Sequence, residues 1–241
     1  FTLYFCAQSY HVARQSFGIA RAYRRSGMHP FRQDRLAEAL IYLAAAWGLL
    51  ARCAQAPETF LGYPIQLPAV PAQAANAMGV AAIACSACWL WRQARLALTG
   101  NIDWRHDGFV TSHAFTCFVA YIWITDITLG WLLINLWHNL QYLLFVWVQN
   151  IRRKRQTQAD KASETGLWKN AARYGGVCLA LGSMLYLAID WAGTQLLWLG
   201  LPTVLIAHFT LGFHHYLVDG VIWKRRAASA EHGALVRRDC K

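Results

Sequence analysis

The chain has 241 residues, of which 56% are hydrophobic and only 15% charged, whereas a soluble domain carries about 25% charged residues. Its net charge of +11 falls in short basic segments between apolar stretches. That pattern argues against a nucleic-acid partner and for cytoplasmic loops beside anionic lipid headgroups.

A membrane span needs roughly 20 apolar residues to cross about 30 Å of hydrocarbon. The apolar runs predict an all-α, polytopic transmembrane bundle of about seven spanning helices, near 1–21, 35–54, 70–92, 109–127, 129–151, 174–191 and 195–223. Phe1 already stands inside the first run, which implies further chain upstream. Between the second and third runs, Pro57, Pro64, Pro68 and Pro71 make 55–73 an extended outer loop. Tight turns are expected around Gly130 and Gly193, folding the fourth run on the fifth and the sixth on the seventh as antiparallel hairpins. The sixth run is the shortest. Gly18, Gly175 and Gly176 read as helix-packing or helix-entry glycines. The polar stretch 156–165 reads as a mobile loop, residues 1–226 as a single transmembrane domain, and 227–241 as a cytoplasmic tail.

Orientation follows from the basic residues. If the chain enters from outside, segments 21–35, 92–107, 152–173 and 224–241 face the cytoplasm and hold 21 of the 23 Lys and Arg, with only Arg14 and Arg52 elsewhere. This asymmetry predicts an integral membrane protein of the bacterial inner (plasma) membrane, with basic loops and C-terminus inside. The 12 tryptophans suit bilayer interfaces. Most of the seven cysteines lie in apolar runs and read as small hydrophobes, Cys85 and Cys88 included.

Polar groups inside a span are costly and need a reason. His11, Arg14 and Gln15 share a helical face by i, i+3, i+4 spacing, as do His138, Gln141 and Tyr142. His208, His215 and Asp219 fall within roughly 40° of one another, while His214 points elsewhere. Counted from the cytoplasmic helix ends, His11, His138 and His208 sit roughly 15–20 Å deep, with His215 and Gln15 at about 10 Å and Glu38 and Asp219 shallower. Imidazoles from separate helices at overlapping depth read as a metal site. The candidate ligands are His11, His138, His208, His215, Asp219 and Glu38. Gln15, Gln141 and Tyr142 would hydrogen-bond ligands or bound oxygen, and Arg14 would hold an anionic group or pair with Glu38 or Asp219. His113 reads as a plain interhelical hydrogen bond, and His29, His106 and His232 as solvated loop residues. Imidazole with carboxylate and amide, lacking a thiolate cluster, favours iron ahead of copper or zinc.

The segment His208-x₅-His214-His215, on a spanning helix near the cytoplasmic side, resembles the paired histidines of integral-membrane fatty-acid desaturases and hydroxylases, which are histidine-rich non-haem iron oxygenases. Its spacing differs from their H-x₃₋₄-H and H-x-x-H-H boxes. The resemblance implies oxygen chemistry at iron on a lipid-soluble substrate reaching the site from the bilayer. Two further readings compete: a haem- or pigment-binding electron-transfer subunit, for example through His138 and His208, and a transport or structural subunit assembled with other membrane subunits. Soluble-enzyme signatures such as G-x-G-x-x-G, H-E-x-x-H and G-x-S-x-G are missing.

Overall fold

The computed structural model describes residues 1–25, 34–157, 164–195 and 205–217. They form α1 (Thr2–Arg25), α2 (Arg35–Gln55), a two-stranded hairpin β1 (Thr59–Phe60) and β2 (Tyr63–Pro64), α3 (Ala72–Leu98), α4 (Trp104–Phe118), a π-helical turn Val119–Trp123, α5 (Ile127–Thr157), α6 (Glu164–Gln195) and α7 (205–217). The fold is all-α apart from the small hairpin. The chain divides into two compact units, 1–138 and 139–241.

Among the described residues, three helices are long and apolar enough to cross a membrane: Arg35–Gln55, Ala72–Leu98 and Lys169–Gln195. The outward faces of the second and third of these carry large apolar side chains such as Val80, Ile83, Leu90, Leu179, Met184 and Leu187. Water makes such a surface unfavourable and hydrocarbon does not. α1, with 24 residues, and α5, with 31, have the length but carry charged and amide residues along it, and α4 has only 15 residues. The seven expected runs thus recur as helices, of which three meet the requirements of a span. Asp219, His29, His232 and the tail 227–241 lie outside the described residues, as does most of the expected loop 156–165.

Helix ends follow local chemistry. Asp34 caps α2, accepting from the Ala37 amide at 3.1 Å, and Asp103 caps α4 through the His106 amide at 3.5 Å; such caps satisfy orphan N–H groups. In place of a wholly extended 55–73 loop, β1 and β2 pair antiparallel, Thr59 opposite Pro64 and Phe60 opposite Tyr63. Leu61 and Gly62 turn the hairpin with φ of 54° and 78°, as a two-residue loop requires.

Unit 1 packs around α2. Ala20, Ala37, Leu40, Ile41, Trp89 and Val110 form one buried cluster from α1 to α4. Glycine permits the closest approaches: a Cβ on Gly48 would sit 2.5 Å from the Tyr121 ring, and one on Gly79 2.7 Å from the Trp47 indole.

The α4–α5 connection shows why Arg52 stands apart from the other basic residues. The π turn closes with Ile124 N donating to Val119 O at 2.9 Å, and the carbonyls around it need other donors. Arg52, 2% exposed, supplies them: Nη1 donates to Thr125 O (2.6 Å) and Gln55 Oε1 (2.6 Å), and Nη2 to Ala120 O (2.9 Å) and Ile124 O. Gly130 lies inside α5 rather than in the turn. It is needed there because a Cβ would meet Ala120 O at 2.0 Å.

In unit 2, α6 is a 32-residue helix and not the shortest one. It runs through Gly193, so no hairpin turn forms there. A Cβ on Gly175 or Gly176 would touch nothing within 4 Å. These glycines pack no neighbour among the described residues and do not stop the helix, because one or two weak formers do not end a long apolar segment.

Candidate metal centre

α1 buries a stripe that includes Gln8, His11, Gln15 and Ser16, while Arg14 is exposed. Along a helix, Gln15 lies about +40° and Arg14 about −60° from His11. That difference puts Gln15 into the interior and Arg14 at the edge, correcting the expected common face. Arg14 Nη1 donates to the Tyr42 hydroxyl at 3.4 Å and its guanidinium lies 5.3 Å from the Phe17 ring, so Glu38 is not among its described partners.

His11 on α1 and His138 on α5 meet inside unit 1. They are 7% and 3% exposed, their ring centroids are 5.1 Å apart at 78°, and each offers a ring nitrogen within 4.8 Å of the other. Two imidazoles sharing a metal at about 2.0–2.1 Å have nitrogens roughly 3–4 Å apart. Rotation about χ1 and χ2 covers that difference. One turn along α1, Gln15 is 1% exposed, and neither its Nε2 nor its Oε1 has a hydrogen-bond partner among the described residues. An unmet buried amide costs about 1–3 kcal/mol, so this carboxamide fits a position beside a ligand that supplies donors or acceptors.

The opposite side of the pair is held. Gln8 Nε2 donates to Asn135 Oδ1 at 2.5 Å, Trp131 Nε1 donates to Gln8 Oε1, and Asn135 Nδ2 donates to Trp131 O at 3.0 Å. Trp137, beside His138 in sequence, stacks on Phe109 at 6.1 Å and 26° and lies 5.3 Å from the His113 ring. His113 is fully buried and bonds the Ile41 carbonyl through Nε2 at 3.1 Å, an interhelical tie as expected.

Glu38 is half-buried in the first turn of α2 and does not join the pair. Gln141, Tyr142, His208 and His215 belong to unit 2. There, His208 Nδ1 shares a 2.9 Å hydrogen bond with the Tyr186 hydroxyl, and the His215 ring meets the Tyr142 ring edge-on at 5.8 Å. Gln141 is buried, whereas His214 is exposed. Cys85 Sγ faces the Leu36 carbonyl at 3.8 Å and Cys88 is exposed, so the C-x-x-C makes no thiol pair.

A second polar centre was not visible in the sequence. Arg92 forks onto Asp34, Nη1 to Oδ1 at 2.7 Å and Nη2 to Oδ2 at 2.5 Å, and Arg24 approaches Asp34 at 3.7 Å. Arg92 also lies 4.5 Å over the Trp89 ring. Burial alone would raise the Asp34 carboxyl, but the hydrogen bonds from Arg92 and the Ala37 amide, with the charges of Arg92 and His106, hold it below the ordinary carboxylate value. His106, expected in a solvated loop, is 2% exposed, and its Nδ1 meets Asp107 Oδ1 at 2.8 Å. Asp107 Oδ2 in turn accepts from the Asp103 amide at 3.0 Å. His106 is buried because α4 starts at Trp104 and presents it to the Trp89 ring, 6.0 Å away.

An apolar groove of about 300 Å³ runs along α2, α3 and α4, with Leu40, Trp47, Ile83, Trp89, Phe115 and Phe118 in its walls. No α1 or α5 residue lines it, so it does not reach the histidine pair.

The chain matches no protein-family model, no curated protein and no solved structure, and its functional reading therefore rests on the geometry of its own polar centres.

Proposed function

We propose that the protein is an integral-membrane, metal-dependent oxidoreductase of the oxygenase, hydroxylase or desaturase type, with His11 and His138 as metal ligands. The observation that carries this reading is two buried imidazoles from different helices, with nitrogens within 4.8 Å, beside a buried Gln15 amide whose atoms have no partner among the described residues. Neutral imidazole is the commonest protein metal ligand. Two imidazoles beside an amide, with Asp219 as the carboxylate expected from the sequence, suit iron first, then copper or zinc. Bound there, iron would supply oxygen chemistry at positions left open by protein ligands. Gln15 would hold a metal-bound or substrate oxygen by hydrogen bonding. His208, His215 and Asp219, with Gln141 and Tyr142, are the further contributors expected from the sequence, and single substitutions decide each.

The substrate is lipid-soluble and enters from the bilayer. Seven spans with basic loops inside, in a bacterial inner membrane, form the matching topology, and reporter fusions at 55–69 and 156–165 test it. Anionic lipids, and other membrane subunits, are the proposed partners.

The haem reading fits the pair less well. Two imidazoles flanking a haem iron face each other along one axis with centroids roughly 6 Å apart and a macrocycle between them. The pair here is edge-to-face at 5.1 Å.

Elemental analysis and a visible spectrum of the purified chain test the proposal. About one equivalent of iron without a Soret band supports it. No stoichiometric iron, copper or zinc sinks it.

A further inference from the structure

We propose that Gln8, Asn135 and Trp131 are positioning residues for the metal centre: a hydrogen-bonded clamp that sets the spacing of His11 and His138. The inference rests on the metal reading above. Gln8 lies three residues before His11, and Asn135 three residues before His138, so the two rungs sit one turn apart on the same pair of helices.

Three hydrogen bonds close into a ring. Trp131 Nε1 donates to Gln8 Oε1, Gln8 Nε2 donates to Asn135 Oδ1, and Asn135 Nδ2 returns to the Trp131 carbonyl. Both amides use a donor and an acceptor, so their orientations are fixed and the ring has one register. Gln8 is 2% exposed; a broken amide pair there would leave groups that water cannot reach, and hydrocarbon would leave them equally unmet.

Register matters because a metal tolerates little. A slip of one residue moves a side chain about 1.5 Å along its helix and turns it about 100°, whereas ligand distances must hold to about 0.2 Å. Ser9 adds a separate tie, its Oγ lying 3.2 Å from the Tyr121 hydroxyl, but that bond runs to the π turn and leaves α5 free to slide. Of the bonds described in unit 1, the ring is the set that joins the α1 face bearing His11 to the α5 face bearing His138.

The test uses the full chain in lipid nanodiscs, titrated with Co(II) alone and followed by its d–d absorption, with thermal unfolding in parallel. Wild type, Gln8→Leu, Asn135→Leu, the double variant, the exchange Gln8→Asn/Asn135→Gln, and Trp131→Phe are compared. Each leucine variant is expected to weaken Co(II) binding by roughly 10- to 100-fold and to alter the band shape. The double variant should lose no more than a single one, because one bridge is broken in all three. The exchange keeps the summed length of the pair and should recover most of the affinity. Trp131→Phe keeps the ring but not the donor and should show a smaller loss in the same direction, which holds the test open if a leucine variant does not fold. Wild-type affinity and spectrum in folded Gln8→Leu and Trp131→Phe would overturn the clamp while leaving the metal centre standing. A wild type that takes up no Co(II) would overturn both.

Discussion

The cluster of Asp34, Arg92, His106 and Asp107 and the pair of His11 and His138 are both buried polar centres of unit 1, but they differ in how their hydrogen bonds are met. In the cluster, charged groups answer one another, leaving Arg92 Nε without a partner among the described residues but every carboxylate of the pairs bonded: a forked Arg92–Asp34 pair, a cap on α2, a His106–Asp107 bond and a further backbone donor to Asp107. At the histidine pair, one side is bonded in full through Gln8, while on the other Gln15 buries an amide with no partner among the described residues. A protein that merely needs its helices joined has no use for an unmet amide, and buried polar groups are bonded in the great majority of cases. The difference teaches that the more heavily charged centre is the structural one. The less satisfied centre is where function is to be sought.

Removing a proposed ligand breaks or sharpens this comparison most. His11→Ala or His138→Ala is expected to lower metal affinity by more than about 100-fold, beyond the loss usual for a supporting residue, with little change in melting temperature. Unchanged metal content in either variant would remove the contrast. At the other centre, Asp34→Ala takes away the partner of Arg92 and the cap of α2. It should cost about 3 kcal/mol of stability in thermal unfolding, toward the lower end for an ion pair because the Arg92 side chain is 34% exposed, and metal content should not move. Gln15→Leu is expected to do the reverse: the metal-free protein gains about 1 kcal/mol once the unmet amide is gone, while metal-dependent turnover falls. A destabilised Gln15→Leu would show that the amide is bonded after all.

The smallest effect is in pH. The Asp34 carboxyl is held below its ordinary value, so its stabilisation is whole above that ordinary value of about 4 and fades as pH falls through the folded one. Melting temperature followed downward from about pH 6 should drop further in wild type than in Asp34→Asn. Parallel curves would remove Asp34 from the account.

Much of the helix order was legible in chain order, because apolar runs and the prolines of 57–71 mark helix and loop by composition alone. The span count was less legible. α1 and α5 interleave arginines and amides with apolar residues, and whether such a helix crosses a bilayer depends on what its polar face meets. At the site, spacing brought out His11 and His138 but grouped Arg14 with them, since i+3 and i+4 neighbours look alike until the edge of the buried stripe is known. Gln8 and Asn135 do carry a signal in the sequence, each being an amide one turn before a histidine. Arg92 with Asp34, and His106 with Asp107, carried none, because their meaning depends on the meeting of three helix ends.

By itself the sequence determined an all-α chain rich in long apolar helices, the clustering of its basic residues between apolar runs, and which helices carry imidazole. Periodicity and composition are local properties, and these follow from them. Only the tertiary structure decided that His11 faces His138, that Arg52 closes the carbonyls of a π turn, and that His106 is buried. Each of these depends on which face one helix offers another, and that is settled by hydrogen bonds and close packing between segments far apart in the chain.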